Sequence, residues 1–110
     1  MLGFIQGAAM AKAAGYSVTA YTNILTEWMK PLSGRLENFG NLIAEGDFQA
    51  HQATLQAWAA GCEKSLALCR TLDVDDALPA ALMAMLQKGI DCGFGDEEIL
   101  AVFKALIPKN

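Results

Sequence analysis

The sequence predicts an all-α fold, a multihelical bundle of about six helices forming one domain over residues 1–110. Two observations carry this expectation. Apolar residues recur at helical offsets along nearly the whole chain, and no stretch alternates apolar and polar residues for long enough to read as a strand. Residues that start or stop helices punctuate these runs, and no linker, repeat or low-complexity tract separates them.

The elements follow in order. A first helix is expected from Leu2 to about Ala14, ending at Gly15, a residue suited to the left-handed turn after a helix. It starts at the first residue without a capping side chain, as if continuing a longer element. Ser17 can cap a second helix whose apolar face is Tyr21, Ile24, Leu25, Trp28, Met29 and Leu32, and Pro31 should break or kink it. A shorter third helix carries Leu32, Leu36, Phe39 and Ile43 and ends at Gly46.

The fourth helix is expected to be the longest, from near Ala50 to about Leu72, with Leu55, Trp58, Cys62, Leu66, Cys69 and Leu72 as one buried stripe. After a turn at Asp73 to Asp76, Asp75 or Asp76 can cap a fifth helix. Pro79 is tolerable in its first turn, and Leu78, Leu82, Leu86 and Ile90 supply its inner face before Gly93 ends it. Asp96 is expected to cap a last helix, with Glu97 and Glu98 near its positive end and Ile99, Val102, Phe103 and Leu106 facing inward. Pro108 closes the element.

Composition bounds the function. A hydrophobic fraction of 54% is high for 110 residues and predicts apolar surface left over for a partner, most simply a second copy. Gly3, Gly7 and Ala11 recur every four residues, a smooth ridge that suits either a close helix pair or plain alanine-rich helix propensity. The net charge of −4, with no basic stripe, excludes a nucleic-acid binder. The apolar opening stretch contains Gln6 and Lys12, is too short to span a bilayer, and lacks the basic start of a secretory signal. Cys62, Cys69 and Cys92 are odd in number and show no metal spacing, as expected of structural thiols in a reducing cytoplasm.

Motifs that would carry chemistry are missing. His51 is the single histidine, and no cysteine or second histidine stands at ligand spacing to it. The sequence has no HExxH, CxxC, P-loop, nucleophile elbow or GxGxxG fingerprint. Gly93-Phe94-Gly95 follows a helix rather than a strand, which argues against a cofactor loop. The acidic clusters at Asp73–Asp76 and Asp96–Glu98 sit at expected helix starts, where the helix dipole accounts for them. No catalytic, cofactor-binding or metal-binding residue is therefore assigned.

The order of motifs nevertheless carries a resemblance. Leu78-Pro79-Ala80-Ala81-Leu82, followed by Gly89-Ile90-Asp91-Cys92-Gly93-Phe94-Gly95-Asp96-Glu97-Glu98, resembles the closing signature of imine reductases and reductive aminases. In that family an LP-containing helix leads into a GxGDE-type turn and a short last helix. Gly3-Phe4-Ile5-Gln6-Gly7-Ala8-Ala9-Met10, Trp28, the Gly46-Asp47-Phe48 turn and Ala53-Thr54-Leu55 also fall where similar residues are expected. The likeness covers nearly the whole chain. It implies the C-terminal helical domain of an NADPH-dependent oxidoreductase of the wider β-hydroxyacid dehydrogenase superfamily, similar to the 6-phosphogluconate dehydrogenase-like C-terminal domain.

The resemblance further implies a homodimer in which each active site lies between the Rossmann domain of one subunit and the helical domain of the other. The Rossmann domain, and the connecting helix with its proton-transferring Asp or Tyr, would precede this segment. The segment alone would then be inactive. Trp28 is similar to an aromatic that lines the family's substrate site, and Met29, His51 and Trp58 are further pocket candidates on elements bordering the cleft. Their expected role is to orient an apolar amine and exclude water. Two other readings stand beside this one. The first is a stand-alone helical homodimeric module without catalysis. The second is the helical domain of a hydroxyacid dehydrogenase, although nothing around Lys12 resembles that family's lysine motif.

Overall fold

Four of the six helices end on the same local device. In the computed structural model, which describes residues 1–108, α1 (Leu2–Ala13), α3 (Leu32–Glu45), α4 (Leu55–Thr71) and α5 (Ala77–Asp91) each pass into a residue of positive φ. At the end of α5 this is Gly93 (φ 94°), where the Gly93 and Phe94 amides reach back to the Ile90 and Gly89 carbonyls. That arrangement satisfies backbone acceptors that would otherwise be unpaired. At the end of α4 the same position is held by Asp73 (φ 56°), with Val74 N donating to Cys69 O at 2.9 Å. A short polar side chain tolerates this conformation better than most, which is why the turn after α4 forms without glycine.

The remaining elements are α2 (Val18–Met29), a 3₁₀ turn (Ile99–Ala101) and α6 (Val102–Leu106). Ser17 caps α2 as expected, its Oγ accepting from Ala20 N at 2.9 Å. Pro31 separates α2 from α3 rather than kinking one continuous helix. The start of α5 divides its tasks between the two aspartates. Asp75 Oδ1 accepts from Ala77 N at 2.9 Å, while Asp76 pairs with Arg70 Nε at 3.1 Å. The described residues contain no strand, only an isolated antiparallel bridge between Thr54 and Glu98.

Two expected helix starts are corrected. Helix α4 begins at Leu55 rather than near Ala50, because Thr54 caps it: Thr54 Oγ1 accepts from Ala57 N at 3.1 Å. Residues 47–54 form a loop instead. The last helical segment starts after Glu98, not Asp96, and Glu98 itself occupies the N-cap position of the 3₁₀ turn. Glu97 does not serve the helix dipole; it pairs with Lys104.

The centre of the molecule is the α4–α5 pair, against which the 3₁₀ turn, α6 and α1 pack. Leu55, Ala59, Cys69 and Ala101 form the buried apolar core, with Pro79 and Gly89 buried on α5. The expected α4 stripe is thus half right. Leu55 and Cys69 are inside, but Ala59 takes the inner position while Trp58 is 50% exposed. Leu82, Phe103 and Leu106, expected inside, are also exposed. Of the three thiols, Cys69 is buried, Cys62 half-buried and Cys92 exposed.

Helices α1 and α2 pair within the chain at Gly7, one member of the small-residue ridge. Tyr21 Oη donates to Phe4 O at 3.2 Å and its ring lies across Gly7, where a Cβ would stand 2.7 Å from Tyr21 Cζ. Gly7 is small to admit Tyr21, whereas Gly3 faces open space. Neither α2 nor α3 carries a buried residue, and the molecule has an elongated outline of 46 × 29 × 23 Å. Among the described residues, no helix is long and apolar enough to cross a membrane.

Candidate functional site

The loop 47–54 is held by residues far away in sequence. Leu55 N donates to Glu97 O at 2.7 Å, Gln56 N to Gly95 O at 3.0 Å, and Glu98 N to Phe48 O at 2.9 Å. The Glu98 carboxylate closes the loop from the other side, Oε2 accepting from His51 N at 3.3 Å. These bonds replace the intrahelical ones that an earlier start of α4 would have made.

The loop and the 3₁₀ turn form one wall of a concavity of about 620 Å³. Helices α2 and α3 contribute Trp28, Leu32, Phe39 and Leu42 to its lining, and α4 contributes Trp58. Polar groups are few: Arg35, Asn38, His51, Gln52 and Glu98. An apolar lining with a handful of polar groups, at this size, is the usual form of a small-molecule site.

Three of the four sequence-chosen candidates therefore meet here. Trp28, His51 and Trp58 line the same concavity although they come from α2, the 47–54 loop and α4. Met29, beside Trp28 in sequence, lines neither this concavity nor the neighbouring groove. One helical step of about 100° turns it away from its neighbour's direction. The His51 ring has no oriented partner: Nε2 is 3.9 Å from Asp47 Oδ2, beyond hydrogen-bond reach.

Across Trp58 lies a second, almost wholly apolar groove of about 570 Å³ between α4 and α5. Cys62, Leu82, Met85 and Leu86 line it, with Ile99 and Val102 at one end. Trp58 belongs to both hollows. Ala53 and Ile99 are shared with it.

A family model described as the C-terminal domain of NADPH-dependent reductive aminase-like proteins matches residues 1–107. The chain belongs to this family. The NADPH-dependent reductive aminase of Aspergillus oryzae is 23% identical to this reductive aminase-like domain over 105 residues, covering 93% of this chain and 36% of the relative. An imine reductase from a Pseudomonas species superposes with a TM-score of 0.90 at 24% identity, over 96% of this chain and 37% of that one. An imine reductase from Bacillus cereus gives 0.88 at 20% identity, over 94% of this chain and 36% of that one. The reductive aminase-like domain thus spans little more than a third of the length of these relatives.

The lining residues do not fit a dinucleotide. Its phosphates call for cations or a glycine-rich loop at a helix N-terminus. Arg35 is the single lysine or arginine lining either hollow among the described residues. Likewise, no group of three or more potential ligands among them is placed to hold a metal ion.

Sequence reasoning missed several lining residues. In the sequence Glu98 looks like a dipole partner at a helix start, Ile99 looks like inward core, and Leu100 carries no signal, yet all three line the hollow. Arg35 and Asn38 gave no signal, because the polar face of α3 looks solvated in one dimension. A usable hint was Ala53-Thr54-Leu55, since a threonine before an apolar helical run marks a cap and therefore a loop before it.

Proposed function

We propose that this chain works as the helical domain of an NADPH-dependent enzyme that reduces imines or aminates carbonyl compounds, and that it does so paired with a second copy. The single observation carrying the reading is the family match over residues 1–107. NADPH would be bound by residues outside this chain. Trp28, His51 and Trp58 would wall the substrate cleft, orienting an apolar amine or imine and keeping water from it.

The exposed surface supports a partnered state. A compact protein of this mass exposes about 5,900 Å², whereas this one exposes 7671 Å². The excess, about 1,800 Å², is more than twice what one partner contributes to a standard interface. Its radius of gyration is 15.5 Å, against about 13 Å for a compact chain of this length. Large apolar residues are among those exposed, including Ile24, Trp28, Leu36, Trp58, Leu82 and Met85.

The test compares two preparations for NADPH consumption with a cyclic imine. The isolated chain is expected to be inactive, and the chain joined in frame behind a Rossmann domain of this family is expected to turn over. Trp28→Ala in the joined protein should raise KM for the imine with little change in folding, since Trp28 is 66% exposed in the isolated domain. Turnover by the isolated chain, or a folded joined protein that binds NADPH yet reduces no imine, would overturn the proposal.

A further inference from the structure

Lys104 lies where three separate segments meet. Its Nζ is 2.7 Å from Glu97 Oε1, and both side chains are about two-thirds covered, at 29% and 33% exposure. The same ammonium stands over two rings, 4.7 Å from the centre of Phe48 and 4.1 Å from that of Phe94. Phe48 belongs to the 47–54 loop, Phe94 and Glu97 to the turn after α5, and Lys104 to α6. A cation between two aromatic faces and a carboxylate is a three-point clasp.

What the clasp holds is the rim of the larger concavity. The backbone of Phe48 accepts from Glu98 N, the Glu98 carboxylate accepts from His51 N, and Thr54 bridges Glu98. His51, Gln52, Ala53 and Glu98 all line the hollow. Lys104 does not line it. We propose that Lys104 is a positioning residue, clamping the 47–54 loop onto the 94–98 turn and so setting where His51 and Glu98 stand in the cleft. The purpose of this clamp rests on the cleft reading given above; its existence does not.

The arrangement separates Lys104 from an ordinary surface lysine in two ways. Solvated ion pairs such as Lys30–Glu27, each partner about two-thirds exposed, add little order. The Lys104 ammonium is instead partly desolvated and shared among three acceptors from two other segments, so its loss acts on the joint between segments. Among the described residues, no other cation stands over the Phe48 or the Phe94 ring.

Amide hydrogen exchange on the full 110-residue chain tests this, comparing the parent with Lys104→Met and Lys104→Arg. In Lys104→Met the His51 and Glu98 amides should exchange about tenfold faster, while amides in the middle of α4 and α5 keep their rates. Lys104→Arg keeps the charge and the ring contact and should restore most of the protection. Unchanged exchange at His51 and Glu98 in Lys104→Met overturns the proposal. So does an increase spread evenly over all helices, which would mark a purely global role. A failure of the imine assay with a positive exchange result removes the cleft reading and leaves the clasp; the reverse removes the clasp alone.

Discussion

Gly89 offers the sharpest test of the α4–α5 joint. A Cβ at this position would stand 2.7 Å from Leu55 Cδ2 and 3.3 Å from Val102 Cγ2. Leu55 is fully buried, at 0% exposure, so its methyl group cannot swing into solvent to make room. Replacing glycine with alanine inside a helix is worth about 1 kcal/mol in propensity. Forcing a methyl into a packed core costs about 1–3 kcal/mol. The second effect wins here because the obstructing atom is enclosed, and Gly89→Ala should lose about 1 kcal/mol net. Leu55→Ala alone should cost about 2–5 kcal/mol. The two together should cost less than their sum by about 1 kcal/mol or more, since the new methyl enters space the leucine has left. Urea unfolding followed by circular dichroism, at one fixed protein concentration so that association contributes equally, measures all three variants. A Gly89→Ala variant more stable than the parent, or strictly additive costs, would refute this account of the joint.

Other expectations follow from the same contacts. Gly7→Leu should break the Tyr21 Oη–Phe4 O bond by displacing the Tyr21 ring, with the helix-propensity gain of about 1 kcal/mol offsetting much of the loss in a thermal melt; an unchanged Tyr21 environment in the variant, read by tyrosine fluorescence, would refute that seating. Thr54→Ala should cost about 1 kcal/mol through loss of the α4 cap, with Thr54→Ser close to the parent. Light scattering should find a dimer, and Leu82→Glu with Met85→Glu, placing two charges on the apolar α5 groove, should shift it toward monomer. A monomeric parent would remove self-association from the proposed function.

Local signals were legible wherever a few neighbouring residues determine the outcome. Ser17 caps α2, Pro31 parts α2 from α3, and Gly15, Gly46 and Gly93 lie just past the helices they end. The buried face was less legible. Periodicity identifies an apolar side of a helix, but α4 carries Trp58 and Ala59 in adjacent positions, and which one turns inward depends on how closely α5 approaches. In the fold the small residue goes inside and the indole stays half exposed, while Gly89 of α5 faces Leu55 one turn earlier on α4.

The candidate site divides the same way. Trp28, His51 and Trp58 could be chosen from the sequence, but only the folded chain brings them to one hollow and leaves Met29 aside. By itself the sequence determined the helical class, the helix ends and the family likeness, because caps, breakers and residue order act over a turn or two of chain. The tertiary structure decided that residues 47–54 form a loop, that Glu98 rather than Asp96 caps the final segment, and that Lys104 reaches Phe48. Local caps at Thr54 and Glu98 mark where these segments start, but their placement is completed by bonds and contacts between residues about forty to fifty-six positions apart, such as Gln56 N to Gly95 O, His51 N to Glu98 Oε2 and Lys104 over Phe48. No local propensity encodes such a pairing, because its free energy is realised only once both partners are in place.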